Sequence, residues 1–369
     1  MIEYICLGVS FGIVFFLWKS RVNYLLLGRV PFSESQTPPD VTVIIPARNE
    51  AHQIARCIKS FSGTAVIVVN DASTDETQSV SELAGATVIP APPLIPGRLG
   101  KPNACAAGAA LVRTKWLLFV DADTTFRPEF VTSVVSYAEE KGHDLVTAFL
   151  EQQCVTIFEK MLLPYSFALY FTGVSAWAVN QTGNSASLAN GQCLLVRRAA
   201  YEQIGGHSKV IDSVIEDVAL AQLAKHNKLS VRVMRAEHLG SVRMYDSLSA
   251  IWRGFQKNSF RFLQINPGSG VQVILASILL TSWLPALVLG FRDYPWPITV
   301  PVLLTPSPVL LLFLAPFLTL LPWYAESRPA RMWRVILAPA AMYLFQLIAL
   351  NGMIVTLFRL TTDWKGRRV

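Results

Sequence analysis

The chain has 369 residues, of which 52% are hydrophobic and only 15% charged, with a mean hydropathy of +0.40 and a formal net charge of +7. That is too apolar for an ordinary soluble protein, and the length leaves room for a domain of about 200–250 residues beside membrane segments. The basic residues are scattered and not striped along one element, which argues against nucleic-acid binding and for a protein lying on an anionic leaflet.

The five cysteines (Cys6, Cys57, Cys105, Cys154, Cys193) show no short paired spacing. This disfavours a zinc knuckle or a disulfide framework and suits a reducing compartment. Residues 4–18 carry no charge and are followed by Lys19, Arg21 and Arg29. Only Glu3 stands before them, so the segment reads as an anchor within residues 1–30 and not as a cleaved signal peptide. The cations place its C-terminal end in the cytoplasm, at the inner membrane.

The pattern then changes, and residues 40–265 read as one domain. Val41-Thr42-Val43-Ile44-Ile45 is a β-branched strand that runs into Pro46-Ala47-Arg48-Asn49-Glu50 and a helical stretch through Phe61. Ala65-Val66-Ile67-Val68-Val69 is a second strand, ending at Asn70-Asp71. Ser73-Thr74-Asp75-Glu76-Thr77 caps a further helix. Residues 86–90 form a third strand. In Leu99-Gly100-Lys101-Pro102-Asn103 the glycine permits close backbone approach and the lysine can meet a phosphate oxygen, although a plain surface turn fits as well. The spacing is not that of a P-loop. Small residues from Ala104 to Ala110 predict a tightly packed helix.

Residues 116–120 are a fourth strand that ends abruptly in Asp121-Ala122-Asp123. Period-two geometry would turn both carboxylates to one face, a seat for a divalent cation. The competing reading is an ordinary turn, because Asp often ends strands. Strands alternating with helices predict an α/β fold with a mostly parallel sheet and ligands at the carboxyl ends of its strands. Asn49, Glu50, Asp71, Asp121 and Asp123 all fall at such ends.

Residues 161–179 are uncharged and long enough to cross a bilayer, yet they separate two acidic motifs that are expected to serve one site. They therefore read as an interfacial helix, with Tyr165, Tyr170 and Trp177 at headgroup depth. Asn190-Gly191-Gln192 leads into the strand Cys193-Leu194-Leu195-Val196, and Gly205-Gly206-His207 marks a loop. Glu216 and Asp217 then open an amphipathic helix, either as acids favoured at a helix N-terminus or as a general base.

Between residues 270 and 360, uncharged runs at 271–291, 297–324 and 335–358 are each long enough to span about 30 Å of hydrocarbon. Prolines 297, 301, 306, 308, 316 and 322 predict a kinked or partly re-entrant middle segment. The flanking charges conflict. Arg328, Arg331 and Arg334 favour a cytoplasmic loop, and Arg359, Lys365, Arg367 and Arg368 favour a cytoplasmic tail, with one span between them.

The ordered motifs over about residues 40–260 resemble a family-2 inverting glycosyltransferase with the GT-A fold. The segments are Val43 to Glu50, Val69 to Asp75 (with Asn70 where Asp is more usual), Gly100-Lys101, Asp121-Ala122-Asp123 and Glu216-Asp217. The resemblance implies a nucleotide-sugar donor held by Pro46, Ala47, Arg48, Asn49, Glu50, Asp71, Lys101 and Asp121. It implies Mg2+ or Mn2+ held by Asp123 with Asp121, and Asp217 as general base with Glu216 beside it. Ile251-Trp252-Arg253-Gly254-Phe255 stands where processive synthases often carry Gln-x-x-Arg-Trp, which argues against a long-chain polymerase. Val242-Arg243-Met244-Tyr245 with Trp252 and Lys257-Asn258 is similar to membrane glycosyltransferases that modify carotenoids and other isoprenoid lipids. Trp252, Phe255, Phe260 and Phe262 read as interfacial anchors or as the lining of an acceptor path. The expected activity is transfer of one sugar, with UDP-glucose the first expectation, to a hydroxyl or carboxyl of a membrane lipid such as a carotenoid, hopanoid or sphingolipid. The alternatives are a polymerising synthase and a non-catalytic scaffold. Three C-terminal spans count against the first, and intact acidic motifs count against the second.

Overall fold

The computed structural model describes residues 2–35, 37–265, 267–292, 307–325, 329–358, 363–364 and 367–368. They form two compact units.

The α/β unit comprises Leu27–Gln153 and Ala176–Met244, together with the strand pair Asp363–Trp364 and Arg367–Arg368. Its strands are β1 (Val41–Ala47), β2 (Ala65–Asn70), β3 (Thr87–Pro90), β4 (Trp116–Phe119), β5 (Thr124–Phe126), β6 (Leu145–Phe149), β7 (Glu151–Gln152), β8 (Leu194–Arg197), β9 (Val231–Arg235) and β10 (Gly240–Val242). Its helices are α1 (Ile54–Lys59), α2 (Thr77–Leu83), α3 (Gly100–Leu111), α4 (Phe130–Lys141), α5 (Ala176–Asn180), α6 (Arg198–Gln203) and α7 (Glu216–His226). Seven strands form one sheet in the order β3-β2-β1-β4-β8-β6-β9, and β5-β10-β7 form a smaller one. Every pairing in the large sheet is parallel except those of β8, which runs antiparallel to β4 and β6.

Both faces of this sheet are covered, which is why its strands are continuous runs of Val, Ile and Leu. Alternation divides them between two cores. Val43, Ile45, Val68 and Leu118 pack with Ile54 and Cys57 of α1 and Phe130 and Val134 of α4. Ile44, Val69, Leu117 and Phe119 pack with Ala104 and Cys105 of α3 and Leu220 and Ala221 of α7. The small residues of α3 let it lie close on the sheet: a Cβ at Gly108 would stand 2.6 Å from Ile44 Cγ2 and 2.9 Å from Val69 Cγ2.

The α/β unit starts earlier than residue 40. Val30 N–H donates to the Arg235 carbonyl at 2.9 Å, and Arg235 N–H donates to Gly28 O at 2.9 Å, so the chain joins the edge of the sheet at β9. It also stops earlier than residue 265, because the helix Leu248–Ile265 belongs to the other unit.

The helical unit contains Met1–Leu26, Cys154–Ser175 and Tyr245–Leu360. Among the described residues, three of its helical stretches are long and apolar enough to cross a membrane: Ile2–Leu26, Pro267–Gly290 and Met332–Leu357. The first runs through Lys19 and Arg21, so the anchor has 25 residues, longer than its uncharged stretch indicated. The helix Pro308–Ala325 contains Pro316 and Pro322, whereas prolines 297, 301 and 306 lie outside the described residues.

The expected interfacial helix at 161–179 is a different element. The helix spans Ile157–Gly173, opened by a capping box in which the Thr156 side chain and Glu159 exchange bonds. The chain turns extended at Val174 and re-enters helix only at Ala176, in the α/β unit. Tyr165 is fully buried within the helical unit, its hydroxyl accepting from Gln346 Nε2 at 3.1 Å. Ser20 Oγ donates to Ala168 O at 2.5 Å, and Tyr324 O–H donates to Met161 O at 2.8 Å. Tyr165 is thus covered by neighbouring helices of its own unit. Trp177, at 68% exposure, lies beyond this helix in α5. Trp252 and Phe255 pack inside the helical unit, Trp252 Nε1–H on Asn351 Oδ1 (3.2 Å) and Phe255 edge-on to Phe345 (4.9 Å). The side chains of Phe260 and Phe262 lie outside the described residues.

Candidate active site

The carboxyl ends of β1, β2 and β4 lie side by side, because these strands are parallel neighbours. Their loops carry the expected residues. The strand β8 adds what a parallel strand could not: its register sets Phe119 opposite Leu194, so the residues just before β8 meet the carboxyl end of β4. One cavity is lined there by Pro46, Lys101, Cys105, Phe119, Val120, Asp121, Gly191, Leu194, His207, Glu216 and Asp217.

Its charged centre is Lys101, from the first turn of α3. The ammonium lies 2.7 Å from Asp121 Oδ1 and 2.8 Å from Glu216 Oε1. Burial opposes the Lys101 charge, but Asp121, Glu216 and Asp217 outweigh it and hold the ammonium well above the usual lysine range. Asp217 is not paired in this way. Its Oδ2 accepts the Gly191 N–H at 2.7 Å and its Oδ1 the Val218 N–H at 2.8 Å. Burial, with the neighbouring Glu216 charge, pushes Asp217 up to about 7 against the pull of Lys101 and these N–H bonds. Glu216 and Asp217 are thus adjacent in sequence and differently held: one pairs with the Lys101 ammonium, the other accepts two backbone N–H bonds.

Asp121-Ala122-Asp123 does not continue the strand. β4 ends at Phe119, and the motif is a turn into β5, with Thr124 N–H and Oγ1–H donating to Asp121 O at 3.3 and 2.7 Å. Extended period-two geometry is therefore replaced by a turn, because the next strand reverses to pair with β10. Ala122 is buried in the core while Asp121 and Asp123 are half-buried. Both carboxylates act on Cys57: burial first, then their charges, push its thiol up to about 12.

The β1 and β2 loops are laced to each other. Arg48 donates from Nη1 to the carbonyls of Asp71 (2.7 Å) and Ala72 (2.8 Å). Asn49 Oδ1 accepts from Thr74 N–H at 2.8 Å, and Glu50 N–H donates to Thr77 Oγ1 at 2.7 Å. Asn49 and Ala72 sit at φ 54 and 51, a left-handed backbone that these ties hold in place. Asp71 is buried, and its N–H donates to Ala47 O at 2.8 Å. The helix cap expected at residues 73–77 sits at its end: α2 starts at Thr77, whose N–H donates to Asp75 Oδ1 at 3.0 Å.

The structure therefore brings Pro46, Lys101, Asp121, Glu216 and Asp217 into one cavity. It sets Ala47, Arg48, Asn49, Glu50, Asp71 and Asp123 on the adjoining strand ends. Gly191, His207, Cys105 and Phe119 join the site without having been assigned a role from sequence. A glycine just before a strand and a histidine after a Gly-Gly pair were the available signals.

Among the described residues no group of three or more His, Cys, Asp and Glu side chains is placed to hold a metal. The donor set of Asp121 and Asp123 fits a hard divalent cation that keeps waters and takes its remaining ligands from substrate phosphates. It does not fit zinc, which takes four protein ligands in a structural site and three in a catalytic one.

Residues 42–205 match the family described as Glycosyl transferase family 2. The chain is 29% identical over 251 residues to 4,4'-diaponeurosporenoate glycosyltransferase of Staphylococcus aureus (strain MRSA252), a match covering 66% of this chain and 65% of the relative. The protein of the same name from strain USA300 is 28% identical over the same span. The match thus spans less than two thirds of these relatives' own length. A mannosyltransferase from Pyrobaculum calidifontis, PcManGT, solved with GDP-Man and Mn2+, superposes with a TM-score of 0.56 at 16% identity, covering 98% of this chain and 100% of that one. That likeness is one of fold, and it agrees with the GT-A arrangement of a mostly parallel sheet with its site at the strand ends. The sequence match places the similarity to glycosyl transferase family 2 over residues 42–205, the stretch that holds the β1, β2 and β4 strand ends.

Proposed function

We propose that this protein transfers a single sugar from a nucleotide-diphosphate donor to a hydroxyl or carboxyl group of a membrane lipid, with inversion at the sugar carbon. The observation that carries the reading is the division of labour at the strand ends: a Lys101 ammonium held by Asp121 and Glu216, beside an Asp217 carboxylate that titrates near neutrality. Lys101 supplies positive charge for a diphosphate leaving group, which gains negative charge as the sugar departs. Asp217 removes the acceptor proton, and Gly191 N–H and Val218 N–H orient its two oxygens. Glu216 keeps Lys101 in place. When bound at Asp121 and Asp123, Mg2+ or Mn2+ would supply further neutralisation of the diphosphate.

The carotenoid-derived substrate in the relatives' name favours an isoprenoid lipid acceptor, and the three apolar helices favour a membrane protein. Lys19, Arg21 and Arg29 favour a cytoplasmic α/β unit at the inner membrane. UDP-glucose is the first donor to test. The test is a hydrolysis screen over nucleotide sugars, followed by mass spectrometry of lipids from cells expressing the protein. A new hexosylated lipid that disappears in Asp123→Ala, and on chelation in vitro, is the expected result. Full turnover of Asp123→Ala, or of the wild type in excess chelator, would remove the metal from the proposal.

Gly191 gives a second check. A Cβ there would stand 2.7 Å from Lys101 Nζ and 3.5 Å from Asp217 Oδ2. Gly191→Ala must push the ammonium away from its carboxylates, and roughly a tenfold loss of turnover is expected, the scale of one charged hydrogen bond. Unchanged kinetics would show that the placement of Lys101 is not needed.

A further inference from the structure

His207 lines the same cavity and has no part in the chemistry above. It is 1% exposed, and its ring packs edge-on against Phe119 with centroids 4.6 Å apart. Its Nδ1 lies 2.9 Å from the Tyr201 hydroxyl, and its own backbone N–H donates to that same hydroxyl at 3.0 Å. The backbone N–H can only donate, so it occupies a lone pair of the phenol oxygen. The phenol has one proton, and Nδ1 is the acceptor placed to receive it. A neutral imidazole that accepts at Nδ1 carries its proton on Nε2. Burial, with the Lys101 charge nearby, holds His207 down to about 3, so it is neutral throughout the physiological range. Among the described residues no protein group accepts from Nε2.

We propose that His207 is a substrate-contacting residue whose Nε2–H donates a hydrogen bond to an oxygen of the nucleotide-sugar donor. This rests on the reading of the site as a nucleotide-sugar site. The donor is favoured over the acceptor because His207 lines one cavity with Lys101, the group read as facing an anionic leaving group. Tyr201 is the positioning residue: it fixes the tautomer, and the Gly205-Gly206 turn presents the ring. Gly205 and Gly206 sit at φ 75 and 52, and a Cβ at Gly206 would fall 2.3 Å from the Tyr201 ring, so the approach of hydroxyl to imidazole requires glycine there.

The experiment uses the full chain in detergent, with UDP-glucose, UDP-galactose, GDP-mannose and free UDP as titrants in the presence of Mn2+. His207→Phe keeps the aromatic packing on Phe119 and removes the donor. It is expected to weaken the preferred nucleotide sugar by about fivefold to tenfold, the worth of one neutral hydrogen bond. His207→Gln, which retains an N–H, is expected to recover most of that loss. If free UDP weakens in parallel, the accepting oxygen is on the diphosphate; if only the nucleotide sugar weakens, it is on the sugar. Nitrogen-15 imidazole spectra of the wild type should show the proton on Nε2, a readout that needs no variant to fold. Unchanged affinities in His207→Phe, or a proton on Nδ1, overturn the proposal alone. A wild type that binds no nucleotide sugar overturns the proposal and the functional reading together.

Discussion

Replacing Asp217 by asparagine should lower kcat for a hydroxyl acceptor by about 10²–10⁴, the range of general acid–base catalysis, with donor affinity near wild type. The amide keeps the shape and takes no proton; its carbonyl oxygen can keep one of the Gly191 and Val218 N–H bonds, and its NH2 meets the other N–H. The pH profile gives an independent check. A base works when ionised, so kcat/KM of the wild type should rise with pH through about 7 and fall away below it. This limb belongs to the coupled Glu216 and Asp217 pair, not to one carboxyl in isolation. Glu216→Gln removes a charge that raises Asp217, so the limb should move to lower pH while turnover survives. If Glu216→Gln is inactive and Asp217→Asn transfers sugar normally, the two roles are reversed.

Stability follows the same shift with a defined sign. The folded state holds the Asp217 proton up to about pH 7, whereas the ordinary value for Asp is 3.8. Between these values the folded protein binds the extra proton, so stability falls as pH rises, and the whole penalty is present above 7. Relative to wild type, Asp217→Asn should therefore fare better at pH 8 than near pH 4, on top of a pH-independent cost for the NH2 set against a backbone N–H. A melting temperature that differs from wild type equally at both values would remove the raised Asp217 pKa from the stability balance.

Lys101→Met should produce two opposite effects. Donor affinity should fall by roughly ten- to a hundredfold, because a charged hydrogen-bond donor to the diphosphate is lost. Mn2+ affinity without donor should rise, because Asp121 loses the ammonium that lies 2.7 Å from Oδ1. Electron paramagnetic resonance titration of Mn2+ measures the second effect without any turnover. Weaker donor binding with unchanged Mn2+ binding would mean that Asp121 is not a metal ligand. Unchanged donor binding would take the diphosphate role from Lys101. The variant also leaves the Glu216 carboxylate buried without its cation, so it should melt below wild type at neutral pH.

Local sequence determined the strands and their ends. β-branched runs such as Val41 to Ile45 and Ala65 to Val69 have one comfortable conformation, and the polar residues that follow them cannot enter the core. The loop positions of Asp71, Asp121 and Asp123, and the helix start at Glu216, follow from that. Three membrane-length helices were legible in the same way, because a long uncharged run carries its own signal, whereas the run at 297–324 is described only as the shorter apolar helix within residues 308–325.

Tertiary structure decided what those ends face. Nothing in Cys193 to Val196 distinguishes a parallel from an antiparallel strand, since both bury the same apolar side chains. Yet the antiparallel course of β8 brings Gly191 to Asp217, 26 residues further on, and sets that glycine against the Lys101 ammonium. The split between Glu216, paired to Lys101, and Asp217, held by backbone N–H groups, depends on the same crossing and has no local signature. Tyr165 shows the converse. An apolar helix is buried equally well by lipid or by protein, and packing set this side chain inside the helical unit. The limit is physical: hydropathy reports how much a segment gains by leaving water, and only long-range contacts decide which surface receives it.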